Sequence, residues 1–347
     1  MVASRAYVNC RFRSHRPTGV HRYAIEMVAQ LGDAVQLIEP PYQALGVKGQ
    51  YWEQWKLPGQ LPTDCVLWSP CNTAPLACKR QFVTIHDAAF VDTPAAYSWA
   101  FRNWYRWLMP RLAKRAVKLF TVSEFSRERL SEVCGVKPEK FAITPCAADE
   151  RFRPASEQEL KDVREALNLP PRYILSLGSL DRRKNLRSVI KAWGTLPQWH
   201  DDLTLVLAGG QGKSRVFSEP DLNPIPPAVQ PLGYVDDKWL PALYSGAEAF
   251  VFASSYEGFG IPTLEAMACG TPVICSSTTA FPSVAGDAVE YVDPGSIESI
   301  AAGMDKVLRD SELRASLTKR GLVRNQLFSW KNSAEVVRDA FREVGAG

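Results

Sequence analysis

The sequence predicts an α/β protein of two doubly wound domains facing a cleft. Three observations predict it. The chain has 347 residues, and at roughly 150 residues per domain that makes about two domains. Apolar runs of four to six residues, rich in Val, Ile, Leu and Phe and without polar alternation, recur along its length. Such runs suit strands buried on both faces of a parallel sheet. Between an early and a late set of runs lies a polar, proline-containing stretch, RFRPASEQELKDVREALNLPPR.

In order, the early runs are 6–10, 35–38, 65–68, 82–85, 119–122 and 141–144. The late runs are 173–177, 203–208, 229–234, 249–253, 272–275 and 289–292. Segments such as 20–31, 124–133, 186–196 and 297–308 fit the crossover helices between them. The polar stretch reads as a linker with a short helix of its own. Domains are therefore expected at 1–168 and 169–330, with a terminal segment at 331–347. In open sheets of this kind ligands bind beyond the carboxyl ends of the strands, so function is sought in the loops there.

Composition narrows the class. The chain is 46% hydrophobic and 22% charged, which is ordinary for a globular protein and excludes disorder, collagen or coiled coil as its main state. No stretch of 18 apolar residues predicts a membrane-spanning helix. The first residues lack the apolar core of a secretory signal. Eight cysteines without a C-x-x-C pair read as reduced, buried thiols of a cytoplasmic protein. Residues 1–150 hold 19 Lys/Arg against 13 Asp/Glu, whereas 151–347 hold 22 against 24. The first half therefore favours an anionic partner. A pI near 8.6 is too mild to argue for nucleic acid, and no nucleic-acid-binding signature is present.

Several motifs fail. Gly212-Lys213-Ser214 lacks the first glycine of a P-loop, since Leu207 stands there. No G-x-G-x-x-G follows the first run, and neither H-E-x-x-H nor G-x-S-x-G occurs. No D-x-D pair offers carboxylates to a metal, and the four histidines (His15, His21, His86 and His200) are too scattered to form a metal cluster by spacing.

Others hold. In SSYEGFGIPTLEAMACGTPVICSS a strand ends, a loop carries Glu257, Gly258, Phe259 and Gly260, and a helix opens near Pro262. Seven residues separate Glu257 from Glu265, which places one in the loop and the other about a turn into the helix. Both can face one cleft, and the glycines admit a ligand close to the backbone. In YILSLGSLDRRKNLRSVIKAW, Gly178 ends a strand, and Arg182, Arg183 and Lys184 precede a helix. Cations at that place suit a diphosphate. Gly19 opens a helix in RPTGVHRYAIEMVAQL, flanked by His15, Arg16 and His21, and His86 and Asp87 follow the run FVTI directly. In TVSEFSRERL, Ser123 is the expected N-cap.

Residues 97–120, YSWAFRNWYRWLMPRLAKRAVKLF, hold Arg102, Arg106, Arg111, Lys114, Arg115 and Lys118, no acid, and interleaved aromatics. That pattern is expected at an anionic membrane surface.

The context E-G-F-G-I-P-x-L-E-A-M-A-C-G-T-P-V resembles the E-x7-E motif of retaining glycosyltransferases of family 4, with the GT-B fold. The resemblance covers nearly the whole chain. It implies two Rossmann-like domains and a final helix crossing back to the first, here around 335–344. By the resemblance, Glu265 binds ribose and Glu257 orients the donor sugar, with the Gly258–Phe259–Gly260 backbone alongside. Lys184 and an arginine, Arg183 in preference to Arg182, stabilise the departing diphosphate in place of a metal. Many members have arginine after the glycine, where this chain has Ser179. Gly19 stands for the phosphate-side glycine loop, which often has two glycines. His86 reaches donor sugar hydroxyls, and Ser126 stands near the acceptor. No separate nucleophile is apparent, which implies front-face displacement.

PTGVHRYAIEM, IHDAAFVDTPAAYS and GSLDRRKNL look most like bacterial mannosyltransferase-like enzymes of surface polysaccharide assembly. The implied donor is a nucleotide-diphosphate sugar of the GDP-mannose type, with no further cofactor. The implied acceptor is a glycan or lipid-linked oligosaccharide, at the inner face of the cell membrane. Two alternatives stay open: a nucleotide-sugar 2-epimerase and a non-catalytic nucleotide-sugar-binding subunit.

Overall fold

The computed structural model describes residues 5–14, 18–178, 181–196, 202–209 and 228–346. Ser179, His15, Arg16 and His200, and 210–214 of the failed P-loop, lie outside them. The described residues form two six-stranded sheets, each wholly parallel.

The first sheet contains β1 (Ala6–Asn9), β2 (Val35–Ile38), β3 (Val66–Ser69), β4 (Gln81–Thr84), β5 (Lys118–Thr121) and β6 (Phe141–Ile143). Its order is β2-β1-β3-β4-β5-β6. Every residue of β3 and β4 is buried, as the unbroken apolar runs require, while edge strand β2 exposes Gln36 and Leu37. Its helices are α1 (Gly19–Leu31), α2 (Gly46–Tyr51), α3 (Ala89–Asp92), α4 (Trp99–Arg115) and α5 (Glu124–Cys134). Helix α2 runs on into a π turn, Trp52–Lys56. Ser123 caps α5, its Oγ accepting from the Ser126 N–H at 3.1 Å.

The second sheet contains β7 (Arg172–Leu177), β8 (Leu203–Ala208), β9 (Val229–Gly233), β10 (Phe250–Phe252), β11 (Val273–Ser276) and β12 (Val289–Val292). Its order is β12-β11-β10-β7-β8-β9. Its helices are α6 (Glu157–Ala166), α7 (Leu186–Gly194), α8 (Leu240–Ser245), α9 (Ile261–Ala268), α10 (Phe281–Ala285), α11 (Ile297–Arg309) and α12 (Ser311–Asn325). Val189, Leu205, Val251, Ile274 and Met304 meet in one fully buried cluster that joins α7 and α11 to the sheet. The last helix, α13 (Trp330–Glu343), belongs with the first sheet. It packs on α1, Phe341 stacks on Phe82 at 5.2 Å, and the Ser333 hydroxyl donates to the Pro145 carbonyl at 2.7 Å.

The division into units differs from the sequence expectation. The first unit comprises Met1–Val91, Arg102–Cys146 and Ser329–Gly347, and the second comprises Asp92–Phe101 and Ala147–Phe328. The expected break at 168 therefore falls at 146. Helix α6 buries only Val163 among its residues, so its composition looks like a linker, yet it packs against α8. The Ala155 N–H also donates to Ser245 Oγ at 3.1 Å.

Residues 97–120 divide as well. Helix α4 runs through Pro110, burying Leu108, Met109, Leu112 and Ala113 and exposing Trp99, Arg106, Trp107, Arg111, Lys114 and Arg115. Two of the six cations depart from that exposed set: Arg102 is half-buried, and Lys118 begins β5. Among the described residues no helix is long and apolar enough to cross a membrane. All eight cysteines are free thiols, six of them buried.

Candidate active site

In the second sheet the strand order turns between β7 and β10, so the crevice of that unit lies at their carboxyl ends. The residues that the sequence singled out follow these two strands. Gly178 follows β7, and a Cβ there would stand 3.2 Å from Lys184 Cγ, so glycine makes room for the lysine stem. A short 3-10 turn, Arg182–Lys184, leads into α7. Asp181 shapes it: one carboxylate oxygen accepts from the Arg183 N–H at 2.9 Å, and the other accepts from Arg183 Nε and Nη2 at 3.1 and 2.9 Å. The Arg183 guanidinium also lies over the Tyr97 ring, 5.5 Å from its centre, while Arg182 is exposed. Asn185, left-handed at φ 56°, donates to the carbonyls of Ala253 and Pro294, which ties this turn to the end of β10.

After β10 the chain presents Glu257. Lys184 Nζ donates to Glu257 Oε1 at 2.6 Å, and the Ser254 hydroxyl is 2.7 Å from the same oxygen. Lys184 Nζ also sits 4.9 Å from the centre of the Phe252 ring. Both partners are shielded but reachable, with side chains 17% and 13% exposed. Gly260, at φ 91°, opens α9, and a Cβ there would come within 3.0 Å of Phe281. Glycine is needed on both counts. Phe259 is buried, edge-on to Phe328. Glu265 is buried in α9, and the Tyr244 hydroxyl donates to its Oε2 at 3.1 Å. The two glutamates thus have different partners: Glu257 a cation, Glu265 a phenol.

Other residues that the sequence singled out lie in the first unit. Gly19 is the first residue of α1, and the Thr18 N–H before it donates to His21 Nδ1 at 3.2 Å. His86 is buried beyond the end of β4, with the Tyr23 ring edge-on at 4.8 Å. Its Nε2 lies 2.9 Å from the Pro70 carbonyl, which has no proton to give, so Nε2 carries the hydrogen and Nδ1 is the acceptor. Burial, countered in part by that carbonyl, lowers the imidazole pKa to about 4, so the ring is neutral at pH 7.

Sequence reasoning missed Asp181, Asn185, Ser254 and Tyr244. The first two had a signal, since Asp and Asn bracket the R-R-K run and commonly form local turns. Ser254 and Tyr244 had none. Among the described residues no group of three or more His, Cys, Asp or Glu is placed to hold a metal ion.

A cation and a carboxylate thus meet at a strand-order reversal, with glycines clearing the backbone beside them. The fold is that of the GT-B glycosyltransferases. Residues 157–324 match the model of glycosyl transferases group 1, and 54–152 match that of Glycosyltransferase Family 4. The chain is 31% identical to O-antigen chain mannosyltransferase B of Escherichia coli, over 80% of this chain and 74% of that protein. It is 29% identical to the serotype-specific mannosyltransferase WbdA of Escherichia coli, over 83% of this chain but 36% of that protein, so it spans about a third of WbdA. Sucrose-phosphate synthase from Thermosynechococcus elongatus superposes with a TM-score of 0.78 at 20% identity, covering 98% of this chain and 99% of that one. WaaG, a glycosyltransferase involved in lipopolysaccharide biosynthesis, gives 0.73 at 16%, covering 96% and 98%. These two likenesses bear on the fold. The chain belongs to glycosyltransferase family 4.

Proposed function

We propose that the chain moves a hexose from a nucleotide-diphosphate sugar, of the GDP-mannose type, to a hydroxyl of a glycan or lipid-linked oligosaccharide in surface polysaccharide synthesis. The anomeric configuration is retained. One observation carries this reading: the Lys184–Glu257 pair at the carboxyl ends of β7 and β10, cleared by Gly178 and Gly260. The names of the mannosyltransferase relatives support the sugar.

In this reading Lys184 leaves Glu257 for the diphosphate as the glycosidic bond breaks. Arg183, aimed by Asp181 and Tyr97, adds a second donor. Both act where negative charge grows, so they stabilise the transition state more than the ground state, in place of a metal and with no further cofactor. Glu257, released, accepts from sugar hydroxyls, Glu265 accepts from the ribose, and the Gly258–Gly260 backbone lies alongside. His86 accepts a donor sugar hydroxyl at Nδ1, and Gly19 keeps the start of α1 open to phosphate. The acceptor hydroxyl attacks from the face that the diphosphate leaves, and the diphosphate takes its proton.

A lipid-linked acceptor calls for a membrane contact, which we assign to the exposed side of α4, with the chain peripheral at the inner face. Trp99 is 77% and Trp107 43% exposed, and the Arg111 guanidinium lies 4.6 Å from the centre of the Trp107 ring. Among the described residues no carboxylate pairs with Arg106, Arg111, Lys114 or Arg115.

The test is calorimetry with GDP, UDP, ADP and their sugars, then product analysis with GDP-mannose. Preferred binding of GDP-mannose and an α-configured product support the reading. An epimerised nucleotide sugar formed without acceptor points to the epimerase, and binding without turnover points to the non-catalytic subunit.

A further inference from the structure

Strand order reverses in the first sheet too, between β1 and β3, so its crevice opens at their carboxyl ends. Asn9 ends β1 and Ser69 ends β3, and beside them a buried carboxylate pairs with the half-buried Arg11. Glu53 is 1% exposed. Its Oε1 accepts from Asn9 Nδ2 at 2.8 Å and from Arg11 Nε at 3.2 Å, while its Oε2 has no partner among the described residues. Arg11 Nη2 goes on to donate to Thr73 Oγ1 at 2.7 Å. The next residue, Gln54, holds the same connection further along: its Nε2 donates to the Ala74 carbonyl at 2.8 Å, and its Oε1 accepts from the Leu76 N–H at 3.1 Å.

The local sequence is built for this grip. Glu53 and Gln54 lie in the π turn Trp52–Lys56, whose wider winding brings consecutive side chains closer to one face than an α turn does. Gly49 lets α2 pass, since a Cβ there would stand 2.2 Å from the Ala44 carbonyl oxygen and 2.9 Å from Arg11 Nη1.

His86 also holds the connection from β3 to β4. The His86 N–H donates to Asn72 Oδ1, and His86 Nε2 donates to the Pro70 carbonyl, both at 2.9 Å. Asn72 is left-handed, at φ 67°.

We propose that Arg11, Glu53 and Gln54 are positioning residues, which set the 70–76 connection and through it hold the His86 ring with Nδ1 as its acceptor. This rests on the reading in which His86 serves the donor sugar. Stability alone is a poor reason for a buried ion pair, because desolvation offsets its attraction. What the planar guanidinium supplies is direction, with Nε fixed on Glu53 and Nη2 on Thr73.

The test uses the full chain, with GDP-mannose and GDP as probes. Arg11→Met/Glu53→Leu replaces the pair by apolar volume, and Glu53→Gln serves where the double variant does not fold. Nitrogen-15 NMR reads the His86 tautomer, GDP release reads turnover, and calorimetry reads GDP affinity. In a folded variant His86 is expected to pass from the single Nε2–H form to a mixture. GDP affinity stays within about twofold, and turnover falls about tenfold or more. An unchanged tautomer signal in a folded variant overturns the proposal. His86→Asn is measured separately: wild-type turnover in it removes His86 from the active site, while the tautomer signal still decides the positioning.

Discussion

Lys184 Nζ and Glu257 Oε1 are 2.6 Å apart, although 73 residues separate them in sequence. The cation after β7 and the loop carboxylate after β10 neutralise each other. In the proposed reading a donor exchanges one charged partner of Lys184 for another rather than uncovering a bare charge, which lowers the desolvation cost of binding.

Removing one partner is expected to cost more than removing both. Lys184→Ala should lower turnover by about 10²–10³, the size of one lost transition-state donor. It should also lower stability by roughly 1–3 kcal/mol, because Glu257 is left without its cation. Lys184→Ala/Glu257→Ala should regain part of that stability and none of the turnover. Thermal unfolding and GDP-release kinetics on the three proteins check this, and equal stability of the single and double variants would count against a coupled pair.

The two glutamates should separate binding from turnover. Glu265→Ala is expected to weaken GDP by about 1.5–3 kcal/mol, roughly ten- to a hundredfold, as charge-assisted hydrogen bonds to ribose are lost. Glu257→Ala should lower turnover more than GDP affinity. Calorimetry and initial rates read the split, and full activity in both variants would remove the assignment.

Turnover of GDP-mannose is expected to persist in EDTA, because in the proposed mechanism Lys184 and Arg183 carry the positive charge for the leaving diphosphate. Abolition by chelator and restoration by Mn²⁺ or Mg²⁺ would overturn that expectation.

Vesicle binding should follow the exposed side of α4 rather than its full set of cations. Arg106, Arg111 and Lys114 changed together to Ser should abolish salt-sensitive co-sedimentation with anionic vesicles, since each contributes about 1 kcal/mol near such a surface. Arg102→Ser, at a half-buried position, should leave it unchanged. Pelleting that ignores lipid charge, or equal loss in both variants, would refute the assignment.

His86 makes acid stability a test of burial. Its pKa falls from 6.5 to about 4 on folding, chiefly through desolvation. The folded state therefore binds the proton less well than the unfolded state does. The contribution is complete above about pH 6.5 and is lost as pH falls towards 4, with a full size of about 3 kcal/mol. Unfolding temperatures of wild type and His86→Asn should diverge with that profile, and parallel curves from pH 7 to 4 would show that the ring titrates normally.

Much of the fold was legible. Each of the twelve strands falls on or overlaps an apolar run, and the central ones, buried on both faces, need no partner's identity to declare themselves. Helix α6 was not legible as part of the second unit, since it buries only Val163. The shift of 92–101 to the second unit was equally hidden. It depends on contacts such as the Tyr256 hydroxyl donating to Asp92 at 3.0 Å across 164 residues. In the site, Glu257, Glu265, Lys184 and the glycines were marked by motif. Asp181 could have been found from its bracketing position. Glu53 could not, because W-E-Q-W carries no sign that its carboxylate is buried beside Arg11.

By itself the sequence determined the parallel-sheet class, the strand–loop–helix setting of Glu257 and Glu265, and the family resemblance. These reside in short stretches, where hydrophobic period, glycine tolerance and helix starts act locally. Only the tertiary structure decided that Lys184 pairs with Glu257, that Arg183 is bound to Asp181, that His86 is neutral with its proton on Nε2, and that Arg102 is off the exposed side of α4. Each of these depends on burial or on a partner brought near by the strand order. Desolvation and hydrogen-bond geometry are set by the packed neighbours, which a linear chain does not display.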